Sequence, residues 1–131
     1  MKARQFLFLG ASALALFFSG AAVAEEAQEG QYVRIAELEI DPAQLENFKS
    51  AMKEGIETAV RIEPGVLALY AVSAADNPAH IKIFEVYTDA NAYKAHLETA
   101  HFMKFRATTD QMVISRKLAD AVPIILSAKT K

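Results

Sequence analysis

The sequence predicts an α+β fold: a ferredoxin-like βαββαβ subunit, with a four-stranded antiparallel sheet and helices on one face. Three observations carry this. Runs rich in β-branched and aromatic residues stand at Tyr32–Ile40, Val66–Val72 and Ile81–Tyr87. A helical apolar period separates the first run from the second. A second helical stretch follows the third run, ahead of a last apolar run at Ala121–Leu126.

The chain has 131 residues, and the first 24 read as a signal peptide rather than fold. Lys2 and Arg4 form a basic start, Phe6 to Phe18 is apolar, and Ala22-Val23-Ala24 offers a small-residue cleavage site. The apolar run falls short of the roughly 20 residues that span a bilayer. The expectation is a periplasmic or secreted protein, cleaved after Ala24, with no stable membrane association afterwards. Residues 25–31 read as a flexible leader, 32–126 as one domain and 127–131 as a polar tail. The net charge is −2, and loss of Lys2 and Arg4 makes the chain more acidic still. Without a cluster of Lys and Arg, that balance argues against nucleic acid as a partner. With no cysteine, disulfides, thiolate metal sites and a Cys nucleophile are all excluded.

In Tyr32–Ile40 the apolar set changes parity midway, which suggests a bulge or two buried faces. Asp41-Pro42-Ala43-Gln44 is a helix start, with Asp41 as cap, Pro42 in the first turn and Gln44 where a capping box wants Glu or Gln. Leu45, Phe48, Met52, Ile56 and Val60 then form one apolar helix face, to about Arg61. Gly55 within it suggests close packing against the sheet. Glu63-Pro64-Gly65 ends the helix and turns the chain. Val66–Val72 is apolar on both faces, and Asp76-Asn77-Pro78 is the loop to Ile81–Tyr87. Asp89 caps the next helix, whose inner face carries Tyr93, His96 and Leu97. Thr99-Ala100 reads as a break, followed by a helix from His101 to Ile114 lined by Phe102, Phe105, Thr109 and Met112. In Ala121–Leu126, Pro123 cannot donate to a ladder, which places that strand at a sheet edge. Apolar residues at both parities of the second and third strands leave a sheet face to be covered by a second copy, so a homodimer is expected.

A strand bringing Glu85 and Tyr87 beside a helix bringing His96 and His101 is the predicted wall of a small-molecule pocket. Imidazole is the side chain best suited to move a proton near neutral pH. A carboxylate inside an apolar strand needs water or a partner, and His96, Arg34 and Arg106 are the candidates for Glu85. On a continuous helix the five-residue spacing puts His96 and His101 about 140° apart, which argues against a two-histidine metal site. His80, after a loop, reads as solvated.

Glu63-Pro64-Gly65-Val66, then Phe84-Glu85-Val86-Tyr87-Thr88-Asp89, then His96-Leu97-Glu98-Thr99-Ala100-His101-Phe102 resembles the antibiotic biosynthesis monooxygenase superfamily, in its branch of quinol monooxygenases and the autoinducer-2 degradation isomerase. The resemblance runs from about Tyr32 to Leu126. It implies a dimeric α/β barrel of two subunits, and oxygenation of electron-rich phenols, anthrones or quinols by molecular oxygen with no metal, haem or flavin cofactor. Such chemistry needs a base, a dry cavity and polar groups that steady an anion. His96, His101 and Glu85 are then the catalytic candidates. Tyr70, Tyr87 and Tyr93 would bond a phenolate, while Phe84, Phe102 and Phe105 would form apolar walls, with Arg106 beside them as a further substrate contact. The haem-degrading branch uses Asn, Trp and His. Trp is absent here, and Arg106 stands at the position resembling the haem ligand. The isomerase branch acts on a phosphorylated cytoplasmic signal that an exported protein would not meet.

The expected function is therefore an exported, cofactor-independent monooxygenase of small quinol or phenol type aromatics. A small-molecule-binding or stress-associated dimer without catalysis, and a small-molecule isomerase using the same histidines, are the alternatives.

Overall fold

The computed structural model describes residues 30–130. The expected signal peptide and most of the expected leader lie outside them. Strand β1 (Tyr32–Ile40) runs into a 3-10 turn (Pro42–Gln44) and helix α1 (Leu45–Ile62). Strands β2 (Val66–Ser73) and β3 (His80–Tyr87) form a hairpin. Helices α2 (Ala90–Leu97) and α3 (Ala100–Thr109) follow, then a 3-10 turn (Asp110–Met112) and strand β4 (Val113–Ala121). The sheet is antiparallel in the order β2-β3-β1-β4, the ferredoxin-like arrangement. Among the described residues no helix is long and apolar enough to cross a membrane.

The core lies between the helices and one sheet face. Leu38, Ile40, Phe48, Met52 and Ile81 form its centre, with Phe105 packed against them. A second cluster of Ala59, Val66 and Tyr87 extends under Tyr93. Asp41 caps the first turn by accepting from the Ala43 amide at 2.9 Å. Gln44 makes no capping box; its side-chain oxygen accepts from Asn47 instead. Gly55 faces Phe105 of α3 rather than the sheet, with room for a methyl group at ordinary contact distance. The parity change in β1 reflects two covered faces, Val33 on one and Ala36, Leu38 and Ile40 on the other, and its register against β4 shifts between Glu39 and Ile40.

The last strand is the main correction. It spans Val113–Ala121, not Ala121–Leu126, and α3 stops at Thr109 instead of reaching Ile114. The VISRKLADA segment is largely exposed and carries Arg116, Lys117 and Asp120, so it lacks the apolar signature of a strand. Pairing with the free edge of β1 overrides that weak local preference. Once those nine residues occupy the edge, Val122–Leu126 has no strand to join and Pro123 lies beyond the sheet. The last strand does lie at the sheet edge, as expected.

Candidate functional site

Three helix ends meet at one point. Helix α1 stops at the Glu63-Pro64-Gly65 turn, α2 ends after His96-Leu97, and α3 begins beside His101. Thr99 makes the break between α2 and α3. Its hydroxyl donates to the His96 carbonyl at 2.8 Å and accepts from the Phe102 amide at 3.2 Å, so one side chain closes one helix and opens the next. Gly65 lets the turn approach α2. A Cβ there would stand 2.5 Å from the Ala92 Cβ and 3.4 Å from its Cα. The Gly65 carbonyl accepts from the Thr88 amide at 2.9 Å, tying the turn to the end of β3.

The result is a node with His96 buried and Glu63 and His101 partly buried. One oxygen of Glu63, Oε2, lies 2.8 Å from His96 Nδ1 and 2.6 Å from His101 Nε2. The three side chains are 12%, 9% and 16% exposed. Among the described residues, Glu63 pairs with no Lys or Arg. With the carboxylate ionised it can only accept, and the two ring nitrogens facing it then carry hydrogen. That tautomer leaves His96 Nε2 with its lone pair free. Among the described residues every fully buried side-chain nitrogen or oxygen has a partner, and the His96 ring borders open space. The His96 ring is held between Tyr87 (centroids 5.6 Å apart) and Phe102 (4.9 Å).

The open space is a cavity of about 60 Å³, lined by His96, His101, Glu85, Phe102, Phe105 and aliphatic residues of α1, β2 and β3. A second hollow of about 90 Å³ shares Ile83, Glu85, His96, Phe102 and Phe105 as its wall and reaches Arg34, Tyr93, Arg106 and Arg116. By volume the first holds about four water molecules. A ligand larger than one small ring must extend toward the second.

Glu85 stands between the two hollows. Burial pushes its carboxyl above the usual range, and nearby Arg34 only partly opposes this. It meets neither His96 nor Arg106; its contact is the Tyr87 hydroxyl, which donates at 3.4 Å. Burial, and then the Glu85 charge, raise the Tyr87 phenol strongly. At the far end Arg34 pairs with Asp120 at 2.9 Å and lies 4.5 Å over the Tyr93 ring, and the Tyr32 hydroxyl donates to the same Asp120 oxygen. Burial also raises the Tyr32 and Tyr93 phenols. Arg106 is held by Asp110 at 2.6 Å.

The structure thus brings His96, His101, Glu85, Phe102 and Phe105 to one cavity, and Tyr93 and Arg106 to its neighbour. It removes three expected contacts. Tyr87 is fully buried and bears on ligand space only through its neighbours Glu85 and His96. Tyr70 and Phe84 pair with each other in register and alternate away from Ile83 and Glu85, so they point to the opposite face of the sheet, where Tyr70 is 60% exposed. The premise against a shared histidine site also fails, because the helix is broken between the two rings. Sequence reasoning missed Glu63 as a site residue. Its signals were its place in the Glu63-Pro64-Gly65 part of the family pattern and a carboxylate directly before Pro64-Gly65, which also reads as a plain helix stop.

The family model described as antibiotic biosynthesis monooxygenase matches residues 31–108. Among solved structures, a Bacteroides thetaiotaomicron protein provisionally named an antibiotic biosynthesis monooxygenase is 45% identical. That match covers 79% of this chain and 98% of that one, with a TM-score of 0.74. A Lactobacillus acidophilus protein provisionally named a monooxygenase is 32% identical, TM-score 0.70, over 73% of this chain and 46% of its own. A Nitrosomonas europaea protein, again provisionally named an antibiotic biosynthesis monooxygenase, is 27% identical, TM-score 0.70, over 75% and 94%. No curated protein matches.

Proposed function

This chain belongs to the antibiotic biosynthesis monooxygenase family, and on that premise we propose that it oxygenates a small electron-rich aromatic of the quinol or phenol type, using molecular oxygen and no bound cofactor. The observation that carries the reading is His96 at the wall of an apolar cavity, with its Nδ1 2.8 Å from the Glu63 carboxylate. A base oriented through its other nitrogen is the arrangement general-base catalysis requires. His96 takes the proton from the substrate, and the Glu63 carboxylate steadies the imidazolium that forms. His101, on the same carboxylate oxygen, holds Glu63 in place and supplies a second imidazole edge. The substrate anion passes electrons to dioxygen within a water-poor space. One oxygen atom enters the product and the other leaves as water, the electrons for both coming from the substrate. Phe102 and Phe105 exclude water, and the small cavity selects a single ring with any substituent directed toward Arg34 and Arg106.

Two further parts belong to this proposal. The outer sheet face bears Tyr70 and Val72, both 60% exposed, beside Ile35 and Phe84, and a second copy of the chain would cover it. The N-terminal pattern directs the protein to the periplasm or the medium. The test of function is oxygen uptake by metal-free protein over a panel of hydroquinones. Turnover is expected with one-ring substrates and lost in His96→Ala. No turnover above that of His96→Ala and His101→Ala across the panel would overturn it.

A further inference from the structure

We propose that Glu63, His96 and His101 also form a binding site for one divalent transition-metal ion of the zinc class, open on its cavity side. Their donor atoms, one carboxylate oxygen and two imidazole nitrogens, lie within 4.8 Å of one another. Two histidines and one glutamate are a donor set that zinc accepts when its fourth position is left to water or substrate. The ligands come from the ends of three separate helices, so the helical spacing that argued against a shared site does not apply. No Lys or Arg among the described residues neutralises Glu63, which leaves the partly buried carboxylate with a charge that only a proton or a bound cation can match. The cavity wall at His96 and His101 supplies the open side.

The present separations of 2.6 and 2.8 Å are hydrogen-bond distances. Tetrahedral ligands at about 2.1 Å from a zinc ion stand roughly 3.4 Å apart. The node must therefore widen by roughly 0.6 to 0.8 Å at each pair. The carboxylate does this by turning, since Thr99 fixes the His96 carbonyl and the start of α3. Binding also moves the imidazole hydrogen of His96 from Nδ1 to Nε2. The edge presented to the cavity changes from acceptor to donor, so the metal-free and metal-loaded forms offer a ligand opposite chemistry. The proposal goes beyond the oxygenase reading and stands without it, because its readout is binding and not turnover.

The test is calorimetric titration of the metal-free full-length chain with Zn²⁺, together with visible absorption after addition of Co²⁺. One ion per chain is expected. Glu63→Gln, His96→Ala and His101→Ala should each weaken it more than about 100-fold, beyond the loss that an outer partner of a metal ligand causes. His80→Ala should change nothing, although His80 lies 3.7 and 3.5 Å from Glu37 and Glu39 on the surface. Co²⁺ should acquire the stronger bands of a four- or five-coordinate site and lose them to Zn²⁺. Binding that survives in the three variants, binding abolished by His80→Ala, or a Co²⁺ spectrum unchanged from the aqueous ion would each overturn the proposal. The Co²⁺ measurement uses the unaltered protein, so it decides the matter even where a variant fails to fold.

Discussion

Two polar nodes flank the same pair of hollows, and they are built from similar parts to different ends. At one end, Glu63 meets two imidazoles at 2.8 and 2.6 Å, with all three side chains nearly buried. At the other, Asp120 meets Arg34 at 2.9 Å, but Asp120 is 66% exposed. Arg34 is a permanent cation, so its end cannot change charge near neutral pH. It anchors β1 to β4 and braces Tyr93. The Glu63 end is built on imidazoles, whose ring nitrogens can each donate or accept a hydrogen bond. The lesson is that a carboxylate becomes a chemical group when its partners are titratable and dry, and a structural tie when its partner is permanently charged and wet.

The comparison breaks first, if it breaks at all, at Glu63. Glu63→Gln keeps the volume but also puts an amide donor against the two ring nitrogens, disturbing the tautomer that frees His96 Nε2. Turnover in the oxygen-uptake assay should fall by about 100-fold or more, with kcat affected more than KM. His96→Ala should fall at least as far. Asp120→Asn should stay within about twofold, because that end takes no part in proton transfer. Equal losses at the two ends would erase the distinction.

The next effect is on stability. Gly65→Ala places a methyl group 2.5 Å from the Ala92 Cβ, with the Ala92 backbone close behind. Something must move, and overpacking of this kind costs about 1–3 kcal/mol. The Glu63 turn and α2 are the two bodies forced apart, so chemical denaturation should show a lower midpoint and turnover should fall with it. Stability lost with activity intact would show that the Glu63 node tolerates more slack than its short distances suggest.

That glycine also shows what was legible in the sequence. The strand and helix order, the Asp89 cap and the Thr99 break follow from local chemistry that a few neighbouring residues decide. So does the placing of Tyr32–Ile40, which matches β1 residue for residue. Both histidines were legible as site candidates because imidazole is rare and reactive. Glu63 was not, since a Glu before Pro-Gly looks the same whether it caps nothing or holds two histidines 33 and 38 residues away. Strand β4 was hidden for a related reason. Its sequence is polar on the exposed side, and only the unpaired edge of β1 makes it a strand. Tyr70 and Phe84 were assigned to the pocket on residue type, whereas the β2–β3 register decides which face they occupy.

Glu85 lies between the two nodes and belongs to neither, which makes it a probe of the intervening dielectric. Burial raises its folded-state carboxyl above the unfolded value. A raised carboxyl contributes stability that is fully present below the unfolded pKa and lost as pH rises through the folded one. Native protein should therefore lose this contribution from mildly acidic toward neutral pH. Glu85→Gln has no such group to ionise. Its stability relative to the native chain should rise over that same interval, by something on the order of 1 kcal/mol, the scale of an incompletely partnered buried polar group. Denaturation midpoints for both proteins, taken across the acidic to neutral range, should diverge as pH increases. Parallel curves would mean that Arg34 compensates Glu85 fully, and that the second node reaches further into the cavity than its position suggests.

The smallest effect sharpens the comparison from the open side. The Arg34–Asp120 pair lies half in solvent, where ion pairs contribute about 0–1 kcal/mol and are screened by salt. Asp120→Asn removes the charge but leaves an oxygen that accepts from the Tyr32 hydroxyl, which now donates to Asp120 at 2.8 Å. The expected loss of stability is a few tenths of a kcal/mol at low ionic strength, fading as salt is added. Arg34 keeps its stacking on Tyr93, 4.5 Å above the ring, so the mouth of the second hollow should hold its shape. A loss well above 1 kcal/mol that persists in high salt would mean that the pair is shielded from water, either by the chain's own packing around this end of β4 or by a second copy seated on it. Repeating the measurement over a range of protein concentrations separates the two cases, because only shielding by a partner depends on how much of the chain is paired.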